Sequence, residues 1–314
     1  MQSKLLDVRS LKDETSLTIA NEVKETLKKR RLFDKCISFT RDNCNTNFGG
    51  IHRKRGNNVF THLKSEVPAL VGVGCPAHIL NNCLHHGVNQ MSLDLESIIY
   101  KTYQHFSIYT VRTEQLKDYC VFVEIEYKKL LSHSVTRWLS LYPSLSRMIH
   151  MYPAIQSYFL SIDKPPVLQK HFFENSLSEL YLKHLQSFID VFHKHVQNIE
   201  QSKISLVEVV ANLDSVKTII LQRKRQMFVS VRVESKLREL RKEGKEQECD
   251  LFMSDVSSLY DSSVAYLDEW TTSFAELKCF DWMLLSEIKE WDNVERCVRY
   301  LGQIPDNLCQ IIAK

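Results

Sequence analysis

Near residue 90 the chain changes rhythm. Before that point, short apolar runs of strand length alternate with amphipathic stretches of helix length. After it, the pattern is almost wholly helical. Only 8 Gly and 7 Pro punctuate 314 residues, so breakers are too scarce for a fold built of many short strands and tight turns. Leu, Lys, Glu and Ser are abundant, which favours helix. The expected fold class is therefore an α-dominated α/β protein with its strands confined to the first part.

Residues 4–8 read as a short strand. Asp13-Glu14-Thr15 then opens a helix whose apolar positions are Leu17, Ile19, Ala20, Val23 and Leu27. It ends in Lys28-Lys29-Arg30-Arg31, cations suited to the negative end of a helix. Residues 36–40 form a compact apolar run that suits a buried strand. Residues 43–50 have turn chemistry, and 59–63 begin another helix. Residues 68–73 predict a third strand. Pro76 stands where the first helical residue belongs, and the helix it opens is expected to stop at Gly87. This alternation predicts an α/β layer with a parallel component.

Farther on, Ser176-Leu177-Ser178-Glu179 reads as a capping box. It precedes a helix with Leu180, Leu185, Phe188, Phe192, Val196 and Ile199 along one face. Further helices are predicted over about 205–221, 226–243 and 250–279. Pro165-Pro166 is the clearest linker signal and predicts a division into 1–165 and 166–314. No internal repeat or low-complexity tract is present.

A net charge of +3 requires any nucleic-acid surface to be local. The nine Cys are odd in number and unpaired in spacing, which predicts reduced thiols in the nucleus or cytoplasm. Met1-Gln2-Ser3-Lys4 opens no secretory leader, and no apolar run reaches the ~20 residues of a membrane helix. Nucleotide-binding and nucleophilic-elbow signatures are missing, so no small-molecule substrate is expected.

Asp42 follows the strand at 36–40, where α/β sheets place ligands; the alternative role for such a residue is a helix N-cap. Cys75, His78, Cys83, His85 and His86 include zinc-ligand types, but most fall on one helix, and four-ligand sites draw a second pair from elsewhere. Trp138 beside Arg137 reads either as a core aromatic or as a stacking platform. Two basic runs, Arg53-Lys54-Arg55 and Arg223-Lys224-Arg225, are candidates for phosphate contact. Near the second run, Glu234, Glu239, Glu243 and Glu246 interleave with cations, as on a solvated helix.

Three strings occur in fixed order. They are Lys35-Cys36-Ile37-Ser38-Phe39-Thr40-Arg41-Asp42-Asn43-Cys44-Asn45, then Cys75-Pro76-Ala77-His78, then Thr136-Arg137-Trp138. Together they resemble the catalytic-domain signature of hAT-superfamily DNA transposases and of host proteins descended from them, including zinc-finger-MYM-type and SCAN-domain proteins. The resemblance covers residues 4–150 and implies a partial RNase H-like fold followed by a large all-helical insertion. Residues 4–8, 35–41 and 70–74 would be the third, fourth and fifth strands of that sheet, with the first two strands and the first catalytic acid outside this chain.

Asp42 would be a retained catalytic acid, and Cys75 and His78 would pack beneath it. Trp138 would stack on distorted DNA, with Arg53, Lys54 and Arg55 nearby. The family's chemistry uses two metal ions held by three carboxylates. Only Asp42 matches; the closing acid aligns with none of Glu269, Glu276 or Glu287. The expectation is a nuclear, transposase-derived protein without catalysis, metal or cofactor, serving as a DNA- or protein-binding module. Its partners would be DNA, other proteins or a second copy, with no membrane. The alternatives are a pure protein scaffold and a Mg²⁺- or Mn²⁺-dependent nuclease completed by a longer isoform.

Overall fold

Residues 5–49, 56–133, 140–201, 204–283 and 291–300 are described in a computed structural model of the protein. Within them the chain is mostly helical, with one small sheet. Helix α1 spans Ser16–Lys29, with Thr15 as its N-cap accepting from the Thr18 amide. Strand β1 covers Ser38–Arg41, followed by α2 (Asn45–Phe48), α3 (Val59–Lys64) and strand β2 (Val71–Gly74). Helix α4 spans Pro76–Val88, α5 Leu95–Ile108, α6 Thr110–Phe122, α7 Leu141–Ser161 and α8 Val167–Glu174. Then come α9 (Ser178–Ile199), α10 (Leu206–Arg225), α11 (Val231–Lys242), α12 (Glu246–Ala275) and α13 (Trp291–Tyr300). Among the described residues no helix is long and apolar enough to cross a membrane.

The chain forms two compact units, each discontinuous in sequence. One gathers described residues up to Leu80 with those of Asn198–Ser215 and those from Leu267 onward. The other combines Asn81–Gln197 with Val216–Tyr266.

In the first unit, β1 and β2 run parallel, pairing Ser38 with Val71 and Arg41 with Gly74. Ala20 of α1, Val59 and Leu63 of α3, and Leu70 form the core beneath this pair, joined by the half-buried Phe39, Phe60 and Val67. Phe48 sits between Phe39 and Phe60, 5.5 Å from each ring centroid. Burying a ring of this size contributes ~1.5–3 kcal/mol. Gly72 leaves room for the Phe60 ring: a Cβ on it would fall 2.6 Å from that ring, which would have to shift. Asn58 caps α3 in a reciprocal box with Thr61, satisfying two amides that the helix start leaves open.

The second unit holds two aromatic clusters. Phe106, Tyr158, Phe159 and Phe173 bring α5, α7 and α8 together through edge-on and stacked rings. Tyr181 and Phe188 of α9 pack against Phe252 and Tyr260 of α12. Near the latter, Asp255 accepts from the Ser92 amide (2.8 Å), the Ser92 hydroxyl (3.0 Å) and the Tyr181 hydroxyl (2.7 Å).

Several sequence expectations are corrected. Residues 5–8 are not a strand: the Asp7 carboxylate takes the Val8 amide and Arg9 reaches Glu22 on α1, so side chains fill the place of a ladder. Among the described residues the sheet is thus the two-stranded pair β1–β2. The helix expected from the box at 176–179 begins at Ser178, because Asn175 takes the Leu177 amide and Ser178 turns its hydroxyl to the Phe172 carbonyl. The helix predicted over 226–243 begins only at Val231, since Met227 adopts a positive φ of 46°. Pro165-Pro166 turns the chain inside one unit, where α7 and α8 on either side pack together and against α5.

Gly87 does not end α4; the helix continues to Val88. A Cβ there would lie 2.3 Å from the Ser263 hydroxyl and 3.2 Å from the Leu259 carbonyl of α12, so glycine permits close helix approach. Gly87→Val is expected to destabilise by ~1–3 kcal/mol through overpacking, despite better helix propensity. Urea denaturation of Gly87→Val with and without Ser263→Ala checks the cause. Removing the hydroxyl should restore part of the loss; equal losses in both backgrounds would rule out this contact.

Candidate functional site

Because β1 and β2 end together, the residues that follow them emerge from the same edge of the sheet. The Cys75 amide donates to the Arg41 carbonyl at 2.7 Å, extending the ladder by one bond. Asp42 leaves β1 at this level. On the neighbouring strand the chain passes from Cys75 into α4, with Pro76 at its first position and His78 in its first turn. Parallel strands place their carboxyl ends where such sheets hold ligands. The structure thus brings Asp42, Cys75 and His78 to one corner.

Asp42 also organises its own loop. Its Oδ1 accepts from the Asn47 side-chain amide at 2.6 Å and from the Cys44 backbone amide at 3.3 Å. Cys44 is the N-cap of α2, and Gly49 closes that short helix in the left-handed region at φ 79°. Asp42 is therefore both a strand-end acid and the brace of the next turn. Asn43 lies against Gly74, where a Cβ would fall 1.7 Å from the Asn43 Oδ1. Among the described residues the buried Asn43 Nδ2 has no hydrogen-bond partner, which is uncommon for a buried amide.

Electrostatics set the state of the corner. The Cys44 side chain holds the Asp42 carboxyl below the usual carboxylate range; burial opposes this, and Asn47 and His78 add to it. Burial lowers the His78 imidazole, with Asp42 pulling the other way. Burial and Asp42 both raise the Cys44 thiol. At neutral pH the corner is a fixed carboxylate beside a neutral imidazole and a protonated thiol. That arrangement binds donors and is poorly suited to nucleophilic thiol chemistry.

Arg53, Lys54, Arg55, Arg137 and Trp138 lie outside the described residues. Arg223 and Lys224 of the second basic run are engaged within their own unit. Arg223 donates to the Ser187 carbonyl at 2.8 Å and covers the Phe228 ring, while Lys224 pairs with Asp261 at 2.6 Å. The other zinc-type residues disperse. Cys83 is fully buried, donates to the Ser263 carbonyl and has its thiol pushed up by burial. His85 turns to Glu96, and His86 packs on the Tyr266 ring. Among the described residues, no three His, Cys, Asp or Glu side chains gather to hold a metal.

One constellation was not legible in the sequence. Glu96 on α5 lies 2.6 Å from His85 Nδ1 on α4 and 3.7 Å from His133 Nε2, whose other nitrogen meets the Ser140 hydroxyl at 3.0 Å. Burial works to raise the Glu96 carboxyl, yet His133 and His85 outweigh it and hold it at about 2. Beside this clamp is a cavity of ≈ 740 Å³ lined in part by Met91, Leu95, Tyr100 and His133. Its members are separated by many residues and share no local spacing, so no motif announces them.

No protein-family model, curated protein or solved structure matches the chain.

Proposed function

We propose that this chain is a nuclear, transposase-derived binding module of hAT type whose RNase H-like core has lost catalysis. The observation that supports it most is the corner itself: Asp42 at the end of one parallel strand, and Cys75 and His78 at the end of the next. That is the placement expected if the resemblance of the three sequence strings reflects ancestry. Two-metal phosphoryl transfer needs several carboxylates sharing the ions. The groups that tune Asp42 are instead Cys44, Asn47 and His78. In this reading the retained role is DNA contact through Arg53, Lys54, Arg55 and Trp138.

Purified protein is expected to bind duplex DNA with an affinity that falls steeply as salt rises. Replacing Arg53, Lys54 and Arg55 by Ala should flatten that dependence by about one unit of log–log slope per lost phosphate contact. No Mg²⁺- or Mn²⁺-dependent cleavage should occur. Cleavage that disappears in Asp42→Ala would overturn the loss of catalysis. Absence of DNA binding at low salt would favour a protein scaffold instead. One observation favours that second reading: Val121 and Phe122 stand side by side at the end of α6, 78% and 77% exposed.

A further inference from the structure

We propose that the cavity beside Glu96 is a binding site for a primary alkylammonium group, the chemistry shared by the lysine side chain of a partner protein and a small free amine.

The cavity belongs to one unit, since every described residue lining it falls within Asn81–Gln197. At ≈ 740 Å³ it has the size of a small-molecule site, roughly 300–1,000 Å³. Val88, Met91 and Leu95 supply apolar wall. Asp94, Glu96 and His133 are on the same wall, and among the described residues no Lys or Arg lines it. An anion entering here would meet two carboxylates and no lysine or arginine.

Glu96 asks for a cation. Its side chain is only 17% exposed, yet its carboxyl stays ionised, held at about 2 against burial. A carboxylate so placed is ordinarily paired with a charge. Among the described residues its ion-pair partners are His85 and His133, which are charged only when protonated. It therefore has no permanent cation there. Asp94 adds a second carboxylate. Its Oδ1 caps α5 through the Ser97 amide at 3.0 Å, and the residue is exposed.

His133 points to a ligand independently of charge. The residue is 5% exposed, and its Nε2 has no hydrogen-bond partner among the described residues. Glu96 Oε2, at 3.7 Å, is too far to serve as one. Buried ring nitrogens are seldom left in that state. With Nδ1 donating to the Ser140 hydroxyl at 3.0 Å, Nε2 is an acceptor. A primary ammonium carries three donors, matching Glu96, His133 and Asp94, and its methylene stem suits the apolar wall. The site uses neither the DNA-contacting residues nor Asp42, so it stands or falls apart from the proposed DNA role.

The probes are n-pentylammonium chloride and the peptide acetyl-Ala-Lys-Ala-amide. Each is titrated at pH 7.5 into isotopically labelled full chain and followed by amide chemical shifts. Shifts centred on residues 88–97 and 133 are expected. Tighter binding of the peptide assigns a partner's lysine, and tighter binding of the amine assigns a free amine. Their neutral counterparts, 1-pentanol and the Nε-acetyl-lysine peptide, should bind about tenfold less well or worse, as loss of a charged hydrogen bond requires. Glu96→Gln keeps the shape, removes the charge and should weaken binding by about tenfold. Asp94→Asn keeps the N-cap and should weaken it about threefold. If Glu96→Gln does not fold, Asp94→Asn decides. No shift with either probe, equal binding by the neutral counterparts, shifts remote from the cavity, or unchanged affinity in the folded variants would each overturn the proposal.

Discussion

At pH 4 the unit formed by Asn81–Gln197 and Val216–Tyr266 is expected to be near or past its unfolding transition. His184 on α9 is the main reason. It is almost fully buried, neither ring nitrogen has a hydrogen-bond partner among the described residues, and the Phe252 and Tyr260 rings stand nearly perpendicular to it. Burial, aided by the Arg223 charge, lowers its imidazole to about 3. His105 on α5 is lowered to about 4, by burial and then by Arg112.

Both histidines are neutral in the folded protein and bind protons readily once unfolded. Below their ordinary value of 6.5 the unfolded chain takes up more protons, so stability falls with pH. The fall runs at ~1.4 kcal/mol per pH unit per histidine and levels off below the folded values. By pH 4 each contributes a loss of about 3 kcal/mol, which together rivals the 5–15 kcal/mol stability of an ordinary domain. Glu96, held at about 2, adds its own loss only below its ordinary carboxylate value of 4.5.

Urea denaturation between pH 7.5 and 4, read by near-ultraviolet circular dichroism, tests this directly. His184→Phe should remove roughly half of the pH dependence. A denaturation midpoint that stays level from pH 7.5 to 4 would contradict the burial of both rings.

Phe159→Ala is expected to cost ~3–5 kcal/mol, the range for deleting a fully buried aromatic ring. Phe159 is wholly buried in α7, stacked on Phe173 at 5.2 Å with an 11° interplanar angle. Phe106, Tyr158 and His105 meet it at 5.6, 5.2 and 4.9 Å. The neighbouring residue supplies the control: Leu160 is about half exposed, and Leu160→Ala should stay within ~0.5 kcal/mol of the parent. Thermal and urea unfolding of the two variants side by side decide it. A Phe159→Ala cost below about 1 kcal/mol would mean that the cluster collapses without leaving a cavity.

The candidate corner was largely legible before the structure. Asp42 was placed by a strand-length run ahead of it, and His78 by a proline-opened helix following another such run. Both signals are local, because strand and helix periods are written into consecutive residues. The structure moved the first run from 36–40 to Ser38–Arg41 and the second from 68–73 to Val71–Gly74. Those shifts are within the reach of turn chemistry at each end. Of the strand expected at 4–8, the described residues 5–8 pair with no other strand among the described residues. There the Asp7 carboxylate accepts from the Val8 amide and Arg9 reaches Glu22.

The sequence by itself determined the helical majority, the confinement of strands to the first part and the order of elements around Asp42. Hydrophobic periodicity, caps and the scarcity of breakers act over a few residues, and these features follow from them. Only the tertiary structure decided that Gly87 is a packing glycine, since the atoms that exclude a Cβ belong to Leu259 and Ser263. It alone joined His85, Glu96 and His133, and it alone left His184 without a hydrogen-bond partner among the described residues. Each of these depends on groups brought together across many intervening residues, and burial and ionisation are set by that company rather than by the chain's local spelling.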